Sequence, residues 1–180
     1  RYLQTRTTRW TTSDDSLLLW MYGYLKAHPN ISLIGWISQD DIENGELYIM
    51  TESDCSNSGD KEMRSSTGGF GTYIKGPSTS CLVDWNSFKL PNVVLSSMEG
   101  EVSSIQVATK SAIHAKMLAD LMLGIEMPLN NGLYESGTPM VMRADALSAI
   151  KSIKKAFSTR VRHMRRTLGI SISWLNRTWS

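Results

Sequence analysis

The sequence predicts an α/β domain built on a mixed sheet, and three observations predict it. A long apolar periodicity of the helical kind starts directly behind a Ser96-x-x-Glu99 capping box and runs to about residue 123. Runs rich in β-branched and aromatic residues precede it, divided by Gly, Pro and acidic turn chemistry. A short strand-like run ending in Asp145 follows it, with an amphipathic helical pattern close behind. Strands on both sides of a long helix, closed by further helices, imply a sheet covered by helical layers.

Composition bounds the rest. With 180 residues, 41% hydrophobic and 20% charged, the chain can bury one sizeable core. No apolar run reaches the roughly 18 residues of a membrane span, so no membrane partner and an intracellular setting are expected. Cys55 and Cys81 show neither metal spacing nor a disulfide framework, which excludes a zinc site and points to reduced, structural thiols. The net charge of +2 conceals an asymmetry: Ala146 to Ser180 holds no acid, while Lys151, Lys154, Lys155, Arg160, Arg162, Arg165, Arg166 and Arg177 lie there. Acids crowd the first sixty positions instead. A basic end on a chain with clustered carboxylates suggests a polyanion held near metal-binding acids.

Taken in order, residues 1–12 are polar and aperiodic. Ser13 or Asp14 then caps a helix that is apolar almost all round, must be well covered, and stops at His28-Pro29. ISLIGWIS reads as a strand, DDIENG as an acidic turn, and ELYIMTES as a strand ending at Asp54. The small and charged residues 55–69 read as a loop. FGTYIKG and SCLVDWNSFK read as two strands of a meander. Gly68-Gly69 is no phosphate loop, since no helix follows and the Gly-Lys-Ser/Thr triplet is missing. Past the long helix, residues 126–139 are a polar connector, PMVMRAD a short strand, ALSAIKSIKKAF an amphipathic helix, residues 157–167 a basic stretch, and LGISISWLNRTW a docked close.

Glu101 falls in the first turn of the long helix, where the dipole favours a carboxylate regardless of function. It shares a face with Ile105, Ala108 and Ala112, which places it at the edge of the core, where it needs a cation or a donor. Asp54 and Asp145 each end a strand, although Asp145 also has the position of a helix N-cap. These three are the acids that could converge above one sheet edge. Hard oxygen ligands without His or Cys select Mg²⁺ or Mn²⁺, the cations of phosphoryl transfer, which work as a pair about 3.5–4 Å apart.

The blocks TESDCSNSGDKEMRSSTGG, STSCLVDWNSFKLPNVVLSSMEGE and MVMRADALSAI resemble, in order and spacing over residues 47–165, the ribonuclease H domain of copia-type long-terminal-repeat retrotransposons. That family reads approximately Ser-Asp-Ala-Asp-Trp-Ala-Gly-Asp, then Ser-Trp-x-Ser-Lys-Lys and Leu-Ser-Ser-Thr-Glu-Ala-Glu, then Asp-Asn-x-x-Ala. Residues 1–37 resemble the segment that joins the reverse transcriptase to it. The resemblance implies a ribonuclease H-like fold at residues 38–180, a mixed five-stranded sheet flanked by helices, with residues 1–37 a connection segment of helix plus strand. It implies an endonuclease that cuts the RNA strand of an RNA–DNA hybrid, as part of a polyprotein with a reverse transcriptase, in a cytoplasmic virus-like particle or the nucleus.

Carried over by position, Asp54, Glu101 and Asp145 are the metal-binding catalytic acids for two Mg²⁺ or Mn²⁺ ions, and Glu99 is a capping residue. Ser56 and Asn57 stand where the family has Asp and Trp, and Ala146 where it has Asn. The family's closing Lys-His-Ile-Asp matches Arg162-His163-Met164-Arg165, so Arg165 replaces the fourth acid and takes a catalytic position. Then one metal could be held with fewer protein ligands and more water, the guanidinium could stand in for part of the cation's work on the scissile phosphate, or the site could be dead. Ser56, Asn57 and Ser65 are candidates for 2′-hydroxyl contact, and Lys154, Lys155, Arg162 and His163 for the phosphates. A non-catalytic nucleic-acid-binding or structural domain of a polyprotein stays open as the second function class.

Overall fold

The computed structural model describes residues 3, 6–60, 65–90, 94, 96–125, 137–159 and 162–179. The chain forms two compact units, Arg1–Ile34 and Gly35–Ser180.

The first unit carries one helix, α1 (Thr12–Ala27). Its cap is Thr11, not Ser13 or Asp14: the Asp14 carboxylate accepts the Thr11 N–H at 2.8 Å and completes a capping box, and Arg6 pairs with the same carboxylate at 3.1 Å. A capping box needs its acid three residues after the cap, which moves the start forward. The expectation that this helix is well covered is not met within its own unit, where Leu19 and Trp20 are each 70% exposed.

The second unit opens with Trp36, which exchanges both backbone hydrogen bonds with Ser80 at 3.1 Å while its indole N–H donates to the Ser78 carbonyl. That one bridge is all the expected ISLIGWIS strand forms among the described residues. The acidic turn is a short helix, α2 (Gln39–Glu43), followed by Asn44-Gly45. Asp41 is buried on it and accepts the Ser78 N–H at 2.9 Å.

Strands β1 (Tyr48–Asp60), β2 (Ser65–Lys75) and β3 (Ser80–Lys89) form an antiparallel meander, and β4 (Met140–Ala144) pairs with β1 in parallel. The sheet order is β3-β2-β1-β4, a mixed sheet of four strands among the described residues where five were expected. The strand β1 does not stop at Asp54. Cys55 pairs with Gly68 and Ser56 with Thr67, so the expected loop is the outer part of a hairpin. A two-stranded ribbon satisfies its own backbone and needs no apolar face, which is why the pattern of small residues there concealed it.

Helix α3 (Ser97–Met122) lies across β1 and β2. Ser96 is its cap, with its Oγ accepting the Glu99 N–H at 3.3 Å. Ile49, Thr51 and Ser53 alternate towards this helix and Ile105, Ala108 and Ala112 answer them, all six buried. The close packing admits a polar chain: Ser111 Oγ donates to Asp84 at 2.5 Å and lies 3.0 Å from Thr72, which lies 3.2 Å from Thr51. Helices α4 (Leu147–Lys154), α5 (Met164–Thr167) and α6 (Ile172–Trp179) close the layer, with Ile153, Met164 and Leu175 packed on Val102 and Ile105. The start of β4 is fastened to α3 by a buried network. Asp120 accepts the Thr138 N–H and hydroxyl at 2.7 Å each, and Lys116 Nζ donates to Asp120 at 2.9 Å and to the Thr138 carbonyl at 3.1 Å. Gly137 precedes it with φ of 114°, a left-handed backbone with no room for a side chain beside Asp120.

Candidate metal centre

Three acids from three elements meet at one end of the sheet. The ligand oxygens of Asp54, Glu101 and Asp145 all lie within 4.8 Å of one another. Register explains the first pair. Ser53 and Ala144 are partners in the parallel β1–β4 ladder, so the next residues, Asp54 and Asp145, emerge together. Helix α3 brings the third. Its Ser104 Oγ donates to the Asp54 carbonyl and accepts from the Ser53 hydroxyl, both at 2.9 Å, one helical turn from Glu101. Asp54 and Asp145 are exposed and Glu101 is buried, so two carboxylates open outward above a third at the floor.

Asp145 is not spent as a helix cap. The cap position of α4 is Ala146, with no side-chain cap bond, and only the Asp145 backbone carbonyl accepts, from the Leu147 N–H at 3.0 Å. The buried Oε2 of Glu101 has no hydrogen-bond partner among the described residues. Burial, then the Asp145 and Asp54 charges, push the Glu101 carboxyl up to about 7, against a smaller opposing pull from the Cys55 N–H. An orphaned buried oxygen and two like charges beside it leave a site short of positive charge.

The donor set fits a hard divalent cation. Among the described residues only carboxylate oxygens converge, with no imidazole or thiolate in the group. Cys55 follows Asp54, and burial, then Glu101 and Asp54, push its thiol up to about 11.

The remaining expected residues fall around this group. Ser56 is exposed on β1, and the side chains of Asn57 and Ser65 lie outside the described residues. Lys154, Lys155 and Arg162 are exposed. The His163 Nε2 lies 3.2 Å from Glu99 Oε1, which ties the basic stretch to the first turn of α3 and gives the Glu99 carboxylate a partner beyond capping. Arg165 is exposed and lines a separate cavity, and no ion pair among the described residues joins it to Asp54, Glu101 or Asp145. Its neighbour Met164 is the residue turned into the core, fully buried, which leaves Arg165 facing outward.

Sequence reasoning missed Ser104, the residue that fixes the spacing of helix and strand, and the contact of Gly100 with Cys55. A methyl group on Gly100 would come within 2.7 Å of the Cys55 Sγ. A larger residue at 55 faces the smallest at 100, a pairing of distant positions that no local pattern carries.

Among the described residues, no helix is long and apolar enough to cross a membrane. No family model, no curated protein and no solved structure matches the chain.

Proposed function

We propose that the chain is a metal-dependent endonuclease of the ribonuclease H type, which hydrolyses the RNA strand of an RNA–DNA hybrid during the reverse transcription of a retroelement. The observation that carries this reading is the convergence of Asp54, Glu101 and Asp145 within 4.8 Å around a buried, unpartnered Glu101 oxygen. The four-stranded mixed sheet with one long helix across it is compatible with a ribonuclease H-like fold.

Asp54, Glu101 and Asp145 would hold Mg²⁺ or Mn²⁺, two ions in all, which when bound supply an activated water and charge stabilisation for the leaving oxygen. The chain's own residues do the rest. Asp54 and Asp145 open outward, and Glu101 beneath them would have to give up its proton to hold a cation. Ser104 holds the Asp54 backbone at its distance from the helix. Ser56, exposed two residues beyond Asp54 on β1, is a candidate for 2′-hydroxyl contact, and Lys154, Lys155 and Arg162 supply charge for phosphates. The setting would be a polyprotein with a reverse transcriptase, in a virus-like particle or the nucleus.

A second reading has one observation in its favour. Arg165 stands at the family's fourth acid and no acid follows Asp145 in the sequence, which fits a hybrid-binding module without turnover. Incubation of hybrid, duplex RNA and duplex DNA with Mg²⁺ or Mn²⁺ separates the two. Metal-dependent cleavage confined to the RNA strand of the hybrid supports the endonuclease, whereas binding of hybrid and metal with no cleavage supports the module.

A further inference from the structure

A cavity of about 290 Å³ lies between the end of α4, helix α5 and the start of α6, lined by Phe157, Ser158, Arg162, Arg165, Arg166 and Ser173 among others. We propose that it is a second site, apart from the carboxylates, that grips a backbone phosphate of the bound polynucleotide. The proposal rests on the reading of the chain as a nucleic-acid enzyme and adds where the substrate is held.

Three arginines line one small concavity, and none of them belongs to an ion pair among the described residues. The sequence supplies no local neutralisation, since no Asp or Glu occurs from Ala146 to Ser180. Three like charges held together repel, and the arrangement is stable when an anion with several acceptor oxygens lies between them. Arginine suits a phosphodiester, because its planar fork donates two parallel hydrogen bonds to two phosphate oxygens.

The arginines are held in place by what lies between them. His163 is tied to Glu99, and Met164 is fully buried against the core that holds Val102. Arg162, Arg165 and Arg166 flank these two anchors and are all exposed. Glu99 is two residues from Glu101, so the anchor joins the cationic segment to the end of α3 that carries the metal-binding acid. Ala156 has φ of 54°, and this left-handed residue ends α4 and turns out Phe157, which is 58% exposed. An aromatic ring beside guanidiniums offers a face on which a sugar or base can rest while the phosphate is held. The volume is at the small end of ligand sites, roughly 300–1,000 Å³, and suits one nucleotide unit rather than a duplex.

The test is fluorescence anisotropy of a labelled RNA–DNA hybrid in EDTA across a salt series, with the parent and the triple variant Arg162→Ala, Arg165→Ala, Arg166→Ala. If each arginine meets a phosphate, the slope of log affinity against log salt flattens by about 2.7, or about 0.9 per residue. The triple Arg→Lys variant should keep the slope and recover part of the affinity. Should the triple Ala form fail to fold by circular dichroism, the three single Ala variants each flatten the slope by about 0.9. A parent that binds with a steep slope and variants that match it overturn the pocket and leave the endonuclease reading intact. A parent that binds no hybrid at any salt overturns the reading beneath it. Tighter binding of a phosphoserine peptide, or of vesicles with anionic lipid, lost in the triple variant, overturns the assignment to a polynucleotide.

Discussion

Asp54 and Asp145 stand side by side because Ser53 and Ala144 are register partners in a parallel ladder. A slip of one residue in that ladder would turn one of the two carboxylates to the other face of the sheet, so the fold sets the geometry of the site through backbone pairing. Strand β4 carries its register through the Lys116–Asp120–Thr138 network at its other end.

Asp54→Asn keeps the shape of the side chain and removes its charge. Hybrid cleavage should fall by about 10²-fold or more with the melting temperature nearly unchanged. Equal cleavage rates for the variant and the parent would remove Asp54 from the set of metal ligands.

Glu101 gives a pH dependence with a definite sign. Its carboxyl is pushed up to about 7 in the metal-free fold from an ordinary value of 4.5, so the folded state holds the proton more tightly than the unfolded chain. Stability from this group is present below pH 4.5, declines as pH rises towards 7 and is gone above it. Glu101→Gln should flatten that decline and melt higher than the metal-free parent at pH 8. Since a bound cation must displace the same proton, apparent Mg²⁺ affinity of the parent should rise by about tenfold per pH unit from about pH 5 to 7 and then level off. A pH-independent affinity measured by calorimetry would contradict this.

Gly100 and Cys55 should behave as a pair. Gly100→Ala places a methyl group against the Cys55 Sγ, an overpacking expected to destabilise by about 1–3 kcal/mol in urea unfolding. Adding Cys55→Ala removes the sulfur and should recover most of the loss. A double variant no more stable than Gly100→Ala alone would place the strain elsewhere.

Lys116→Met leaves the Asp120 carboxylate buried without its cation and should cost about 3 kcal/mol. Although burial raises the Asp120 carboxyl, its hydrogen bonds from Thr138 and its pairing with Lys116 outweigh this and hold it below the ordinary range. Its stabilisation is therefore present above the unfolded value near 3.8 and is lost as pH falls through the lower folded value. Asp120→Asn should weaken the acid limb of the stability profile, and an unchanged profile would show that Asp120 takes no part in it.

The elements legible in the sequence are those whose signal is local. The Ser96 cap, the stripe of Ile105, Ala108 and Ala112, the run of β3 and the Asp145 end of β4 all follow from side-chain period and capping chemistry within a few residues. The choice of Asp54, Glu101 and Asp145 also came from the sequence, through motif spacing and the ends of elements. Tertiary structure decided the rest, because it depends on pairing between distant segments. It carried β1 past Asp54 into a ribbon, limited the stretch before Trp36 to one bridge, and left Arg165 exposed beside a buried Met164. It also left the Glu101 oxygen without a donor, a fact that no single segment contains, since a buried atom's partners are set by every chain that packs around it.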